Sequence, residues 1–182
     1  MNDIIVEFQI QSKRTAPFNA KPFNEDQLNT FLTNYSMGLV GEYLELCQTL
    51  DEVEFIDYLE EEKFTKLWDS YIKELGDVWH YLINLFTVLE ENFDINKCMD
   101  PEKRCIYVIG DFVELVKKKV YHGHLIEKEI LIEKLYQIAK EIIDYSDYEL
   151  ANVLDTNIEK LKKRYPNEFN VRDSIKRVDI FE

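Results

Sequence analysis

The chain has 182 residues, with 36 Asp or Glu against 22 Lys or Arg and a formal net charge of −14, a balance that argues against general binding to nucleic acid or to anionic membranes. Its 46% apolar and 13% aromatic residues supply material for a core and argue against intrinsic disorder. Five Gly and four Pro are too few for the turns of a many-stranded β fold, so long helices are the economical expectation.

Residues 1–16 form a weakly amphipathic segment, which Pro17, Pro22 and the stretch 19–26 break into a loop. A helix is expected to begin near Asn24–Gln27. From there Leu28, Phe31, Leu32, Tyr35, Leu39, Tyr43, Leu46 and Leu50 recur at three- and four-residue steps, the helical period. Residues 52–63 read as an acidic connection whose charges form a solvated face. A second strong helix is predicted over 64–91, with Leu67, Tyr71, Leu75, Val78, Leu82, Leu85, Phe86 and Leu89 on one side. Periodicity lapses over 92–101, and Pro101 is placed to open a third helix over 101–121. His122-Gly123-His124 ends it. A fourth helix is expected over 127–145 and a shorter one over 148–164, which stops before Tyr165-Pro166. The expected fold is an all-α helical bundle of four long helices plus a short C-terminal helix, a single domain over 1–182.

No apolar run reaches membrane-spanning length, and the first residues lack a signal-peptide core. Cys47, Cys98 and Cys105 have neither metal-ligand spacing nor a disulfide pattern, so reduced thiols and a cytoplasmic location are expected. The charge is uneven: residues 1–101 carry a net of −13 and residues 102–182 a net of −1. A trace of duplication is also present. Gly41-Glu42-Tyr43-Leu44-Glu45-Leu46 lies over Gly110-Asp111-Phe112-Val113-Glu114-Leu115, and Lys73-Glu74-Leu75-Gly76-Asp77 lies over Lys140-Glu141-Ile142-Ile143-Asp144. These matches define two candidate pseudo-repeat units, 24–95 and 101–166, each too small to bury its own apolar faces.

Four carboxylates carry the first hint of chemistry. Glu42 and Glu45 are three apart on one predicted helix, and Glu74 and Asp77 three apart on the next, so each pair projects from one side of its helix beside apolar residues. Gly41 and Gly76 adjoin them, as though a close approach of helices or ligand were accommodated. Inward-facing acids repel one another and resist desolvation, and a divalent cation that favours hard oxygen ligands, Mg²⁺ or alternatively Mn²⁺, resolves both problems. The plain alternative is two solvent-facing pairs at helical spacing.

Residues 38–45, Gly-Leu-Val-Gly-Glu-Tyr-Leu-Glu, and 74–81, Glu-Leu-Gly-Asp-Val-Trp-His-Tyr, resemble the ExxE and ExxD motifs of the MazG-like all-α nucleoside triphosphate pyrophosphohydrolases. Phe8-Gln9 with Arg14-Thr15-Ala16 is similar to that family's opening segment, Lys117-Lys118 with His122-Gly123-His124 to its basic stretch, and residues 157–166, Asn-Ile-Glu-Lys-Leu-Lys-Lys-Arg-Tyr-Pro, to its closing helix. Ser174 and Arg177 match its final Ser-x-x-Arg. One departure stands out. The basic stretch ordinarily lies between the two acidic motifs of one unit, whereas here it follows ExxD by about forty residues, which suggests a fused double unit with one good metal site. At family spacing the second ExxD falls on Lys134 and Gln137, while Glu141 and Asp144 lie seven residues later.

The resemblance implies hydrolysis of a nucleoside triphosphate between its α- and β-phosphates, giving a monophosphate and pyrophosphate. It makes Glu42, Glu45, Glu74 and Asp77 the metal ligands and catalytic carboxylates, with Glu45 also orienting water. Candidate substrate contacts are Tyr81, which shares a helix face with Asp77, the basic Lys117, Lys118, Lys160, Lys163 and Arg164, His122 in its turn, and Asn157 by resemblance alone. The family commonly assembles as dimers or tetramers, so a homo-oligomer is implied. Asp77-Val78-Trp79-His80-Tyr81 also resembles a segment of the dimeric all-α dUTPases, and a non-catalytic nucleotide-binding helical module is a third reading.

Overall fold

A computed structural model describes residues 2–17, 23–54, 61–101, 103–146, 149–167 and 169. Its described residues form six α-helices and no strand: α1 (Asn2–Arg14), α2 (Glu25–Glu54), α3 (Glu61–Val88), α4 (Cys105–His122), α5 (Lys128–Ser146) and α6 (Leu150–Arg164), with a 3₁₀ turn at Ile95–Lys97. The fold is all-α. The first segment, expected only as weakly amphipathic, is a full helix that buries Ile5, Phe8, Gln9 and Ser12. Pro22, Asp57, Glu60, Ser174 and Arg177 lie outside the described residues.

Local chemistry explains three of the helix ends. At the start of α2 the Gln27 amide donates to Asn24 Oδ1 at 2.8 Å and the Asn24 amide donates to Gln27 Oε1 at 3.2 Å. This reciprocal cap satisfies donors that have no partner inside the helix, and Glu25 and Asp26 add favourable charge in the first turn. Where α3 ends, at the same open end of the α2–α3 hairpin, Glu90 takes a left-handed φ of 53°. There the Glu91 amide reaches Phe86 O at 2.9 Å, a Schellman closure that stops α3 before the predicted Glu91. Helix α4 ends on Gly123, φ 66°, where the amides of Gly123 and His124 both bond to Lys118 O. Pro101 precedes the first turn of α4 rather than forming it, since that helix begins at Cys105.

Helix α3 is the axis of the molecule, packed against α1, α2, α5 and α6. The predicted stripe Tyr71, Leu75, Val78, Leu82, Leu85, Phe86 and Leu89 is buried, and so are Ile72, Trp79, Ile83 and Val88 on other sides. A helix surrounded by neighbours needs apolar residues all round. Each such side chain contributes roughly 1.5–3 kcal/mol by leaving water. Trp79 is fully buried and its indole N–H donates to Ser146 Oγ at 3.0 Å, which ties α3 to the end of α5. Leu67, expected on the same stripe, is only half-buried.

Two hairpins, α2–α3 and α4–α5, lie against each other through α2 with α4 and α3 with α5. Helices α1 and α6 close the free side of α3 and touch each other. Gln9 fastens α1 with every amide atom engaged: its Nε2 donates to Thr87 Oγ1 at 3.2 Å and to Glu91 O at 2.9 Å, and its Oε1 accepts from the Phe93 amide at 3.0 Å. That arrangement leaves a cleft lined by residues of α2, α3 and α6, by Thr15 and Pro17 just after α1, and by Tyr165 and Phe169 just after α6.

Candidate active site

The cleft encloses about 570 Å³, within the range of small-molecule sites. The antiparallel α2–α3 hairpin brings its two acidic motifs to one wall. One carboxylate oxygen from each of Glu42, Glu45 and Glu74 lies within 4.8 Å of the others. Glu42 and Glu74 are half-buried and Glu45 is exposed. Burial pushes the Glu42 carboxyl up to about 7, helped by the neighbouring Asp77, Glu45 and Glu74 charges and opposed by Lys160. Glu74 is raised for the same reasons, burial first and then Asp77 and Glu45. The donor set is thus a group of hard oxygens short of positive charge, which fits a divalent cation such as Mg²⁺ or Mn²⁺.

Asp77, the fourth expected ligand, is engaged from α6. Its Oδ1 accepts from Asn157 Nδ2 at 2.7 Å and its Oδ2 is ion-paired with Lys160. Asn157 is 1% exposed, and among the described residues its own Oδ1 has no hydrogen-bond partner. The close approach of α6 is permitted by Gly76: a Cβ there would sit 3.0 Å from Asn157 Cβ and 3.2 Å from Val153 O. Gly41, expected to serve a similar purpose, faces open space with nothing within 4 Å of a Cβ. Arg164, one turn beyond Lys160, also lines the cleft, so α6 brings two cationic side chains to the same cleft as the acids.

The far end of the cleft is aromatic. Tyr35, seven residues before Glu42, and Tyr81, four after Asp77, pack with ring centroids 5.8 Å apart, and Tyr165 and Phe169 come from the C-terminal side. At 1.5 Å of rise per residue, Tyr35 lies roughly 10 Å along α2 from Glu42, while Tyr81 is about one turn from Asp77 and links the aromatic group to the acids. Between them, His80 Nδ1 lies 3.1 Å from Ser12 Oγ, which itself accepts from Asn84 Nδ2 at 2.8 Å. The Ser12 hydroxyl keeps its hydrogen and a second lone pair, so the direction of its bond with His80 Nδ1 follows the tautomer of the imidazole. Burial pulls His80 down to about 4, in keeping with a neutral ring.

The cleft therefore gathers Glu42, Glu45, Glu74, Asp77, Tyr81, Lys160 and Arg164 from the expected residues, with Asn157 directly behind Asp77. It does not gather the others. Lys117 and Lys118 pair with Glu114 on α4, and His122 is an exposed residue in the last turn of that helix, next to the Gly123 cap. Lys163 is exposed and turned off the lining face of α6. The acids equivalent to the site in the second unit have local partners: Asp111 pairs with Lys103, Glu141 accepts from Tyr145 Oη at 3.0 Å, and Asp144 pairs with Lys140. Among the described residues the one metal-compatible cluster is Glu42, Glu45 and Glu74. Tyr35, His80 and Thr15 line the cleft although the spacing argument did not select them. For Tyr35 a signal existed, its seven-residue separation from Glu42, but the same spacing marks any core position.

No protein-family model, curated protein or solved structure matches this chain.

Proposed function

We propose that this protein is a metal-dependent nucleoside triphosphate pyrophosphohydrolase that cleaves between the α- and β-phosphates. The observation that carries the reading is the convergence of three carboxylates within 4.8 Å in a cleft that is also lined by Lys160 and Arg164 and by the aromatic Tyr35 and Tyr81. A triphosphate with a planar base has a counterpart for each of these three kinds of group.

Glu42, Glu45 and Glu74 are the residues that would hold Mg²⁺, while Asp77, the fourth expected ligand, has its two oxygens engaged by Asn157 and Lys160. When bound, such an ion offsets phosphate charge and polarises the phosphoryl oxygens. Lys160 and Arg164 bind phosphate oxygens, Arg164 through a planar fork and Lys160 as a point charge. Glu45, the exposed member of the acidic cluster, orients the attacking water and takes its proton. The elevated Glu42 reflects burial and like charges without a cation, so by itself it does not nominate Glu42 as the general base. Tyr35 and Tyr81 receive the base.

Incubation with a panel of dNTPs and NTPs in Mg²⁺, with products resolved, tests the reading. Equimolar monophosphate and pyrophosphate are expected. Release of inorganic phosphate would place the cut elsewhere, and nucleotide binding without turnover would favour the non-catalytic module. In parallel, Glu74→Ala is expected to lower turnover by about 10²-fold or more, the scale on which site groups act, while Glu141→Ala leaves it within about twofold. Equal losses would sink the single-site assignment.

A further inference from the structure

Among the glycines, Gly38 stands apart. It lies on α2 one turn before Glu42, and a Cβ built there would fall 2.0 Å from Tyr81 Cε1, 2.3 Å from Cδ1 and 2.6 Å from Cζ. The Tyr81 ring thus occupies the volume that any other side chain at position 38 would fill. Real carbon atoms do not approach so closely, so a methyl at 38 must drive the ring away from α2. The ring is itself a wall of the cleft, packed against Tyr35 at 5.8 Å and His80 at 5.5 Å between centroids. With α2 behind it and those rings beside it, the open direction is the cleft.

We propose that Gly38 is a positioning residue that seats the Tyr81 ring on the α2 backbone and thereby keeps the aromatic end of the cleft open for the planar base of the ligand. The proposal rests on the nucleotide reading given above and adds the residue that sets the depth of the base-binding end. Gly38 touches no phosphate-binding group. A substitution there acts through Tyr81, and its effect is confined to ligands that carry a base. Aromatic stacking tolerates little displacement, because the attraction depends on offset contact between ring faces.

Four proteins test this: wild type, Gly38→Ala, Tyr81→Ala and the double variant. Each is assayed for hydrolysis of the preferred nucleoside triphosphate and for binding of inorganic tripolyphosphate with Mg²⁺ by calorimetry. Gly38→Ala is expected to raise KM about tenfold or more, the scale of one lost base–aromatic stack, with kcat nearly constant and tripolyphosphate affinity as in wild type. In the Tyr81→Ala background the Gly38→Ala change is expected to add nothing further, the non-additivity of two groups sharing one volume. A wild-type KM for Gly38→Ala, an equal loss for tripolyphosphate, or additive effects would each overturn the proposal. Should Gly38→Ala fail to fold, recovery in the double variant supports the seat and failure to recover overturns it. Absence of nucleotide binding by the wild-type chain overturns the proposed function and the base-bearing ligand named here. Wild-type turnover with an indifferent Gly38→Ala overturns the seat alone.

Discussion

Lys160 stands where the interests of folding and of ligand binding meet. Its ammonium neutralises Asp77 and lowers Glu42 and Glu74, against the push of burial and of their mutual repulsion. Both partners of the ion pair are partly shielded, with side-chain exposures of 24% and 18%. Replacing Lys160 by Met keeps the stem and removes the charge, leaving Asp77 with Asn157 alone. Loss of one partner of a part-buried pair is expected to cost about 1–3 kcal/mol in the metal-free protein, less than a fully buried pair because water reaches the site. Mn²⁺ or Mg²⁺ is expected to reduce that deficit, while KM for the triphosphate still rises. Urea unfolding with and without the cation measures it, and a deficit indifferent to the cation would contradict the cleft as a cation site. At this scale the sequence was partly legible. The i, i+3 spacing of Glu42 with Glu45 and Glu74 with Asp77 placed the acids on helix faces, but pairing across helices is invisible to spacing. Nothing along the chain separates Lys160 from Lys163, and only the packing of α6 on α3 decides which of them meets Asp77.

The approach of α6 to α3 depends on the absence of a single carbon. At Gly76 a Cβ would press on the backbone carbonyl of Val153 as well as on Asn157, and a backbone oxygen in a helix yields only if the whole of α6 moves. Gly76→Ala is therefore expected to destabilise by about 1–3 kcal/mol through overpacking, outweighing the helix-propensity gain of about 1 kcal/mol. It also draws Asn157 and Lys160 away from Asp77, so activity falls with it. Gly41 and Gly110 have nothing within 4 Å, and Ala at either position is expected to stabilise by about 0.5–1 kcal/mol through propensity alone. Unfolding midpoints of the three variants check the opposite signs. A stabilised Gly76→Ala would refute the tight α3–α6 contact. Helix existence was legible from the period of apolar residues, whereas the Asn24–Gln27 cap emerged only with the structure. The first helix was less so, because α1 buries Gln9 and Ser12 beside Ile5 and Phe8, and polar residues satisfied inside a core weaken the pattern that periodicity detects. The role of Pro101 was misjudged, since a proline ahead of a helix and one in its first turn look alike in sequence.

Across the whole molecule, the net charge of −14 and the cleft combine into a pH response with two opposing parts. Between 4.5 and about 7 folded Glu42 retains a proton that the unfolded chain has released, so stability falls as pH rises through that window, by up to about 3 kcal/mol. Glu74, raised in the same sense, adds to the fall. His80 works the other way: between about 4 and 6.5 the unfolded chain holds a proton that the folded ring refuses, so stability rises with pH there by a similar amount, about 3 kcal/mol. Where the windows overlap, from 4.5 to 6.5, the two slopes largely cancel. Glu42→Gln removes one of them. In metal-free buffer the variant is expected to match wild type near pH 4.5, to gain on it steadily, and to lead by up to about 3 kcal/mol from pH 7 upward. Thermal or urea unfolding of both proteins across that range gives the difference directly, free of surface carboxylates common to the two. Adding Mg²⁺ or Mn²⁺ at pH 7.5 is expected to reverse the order, because the cation stabilises wild type by binding only its folded state and finds one carboxylate fewer in the variant. A difference that stays constant with pH would mean that Glu42 titrates as an ordinary surface carboxylate and that the acidic wall carries no stored repulsion for a cation to relieve.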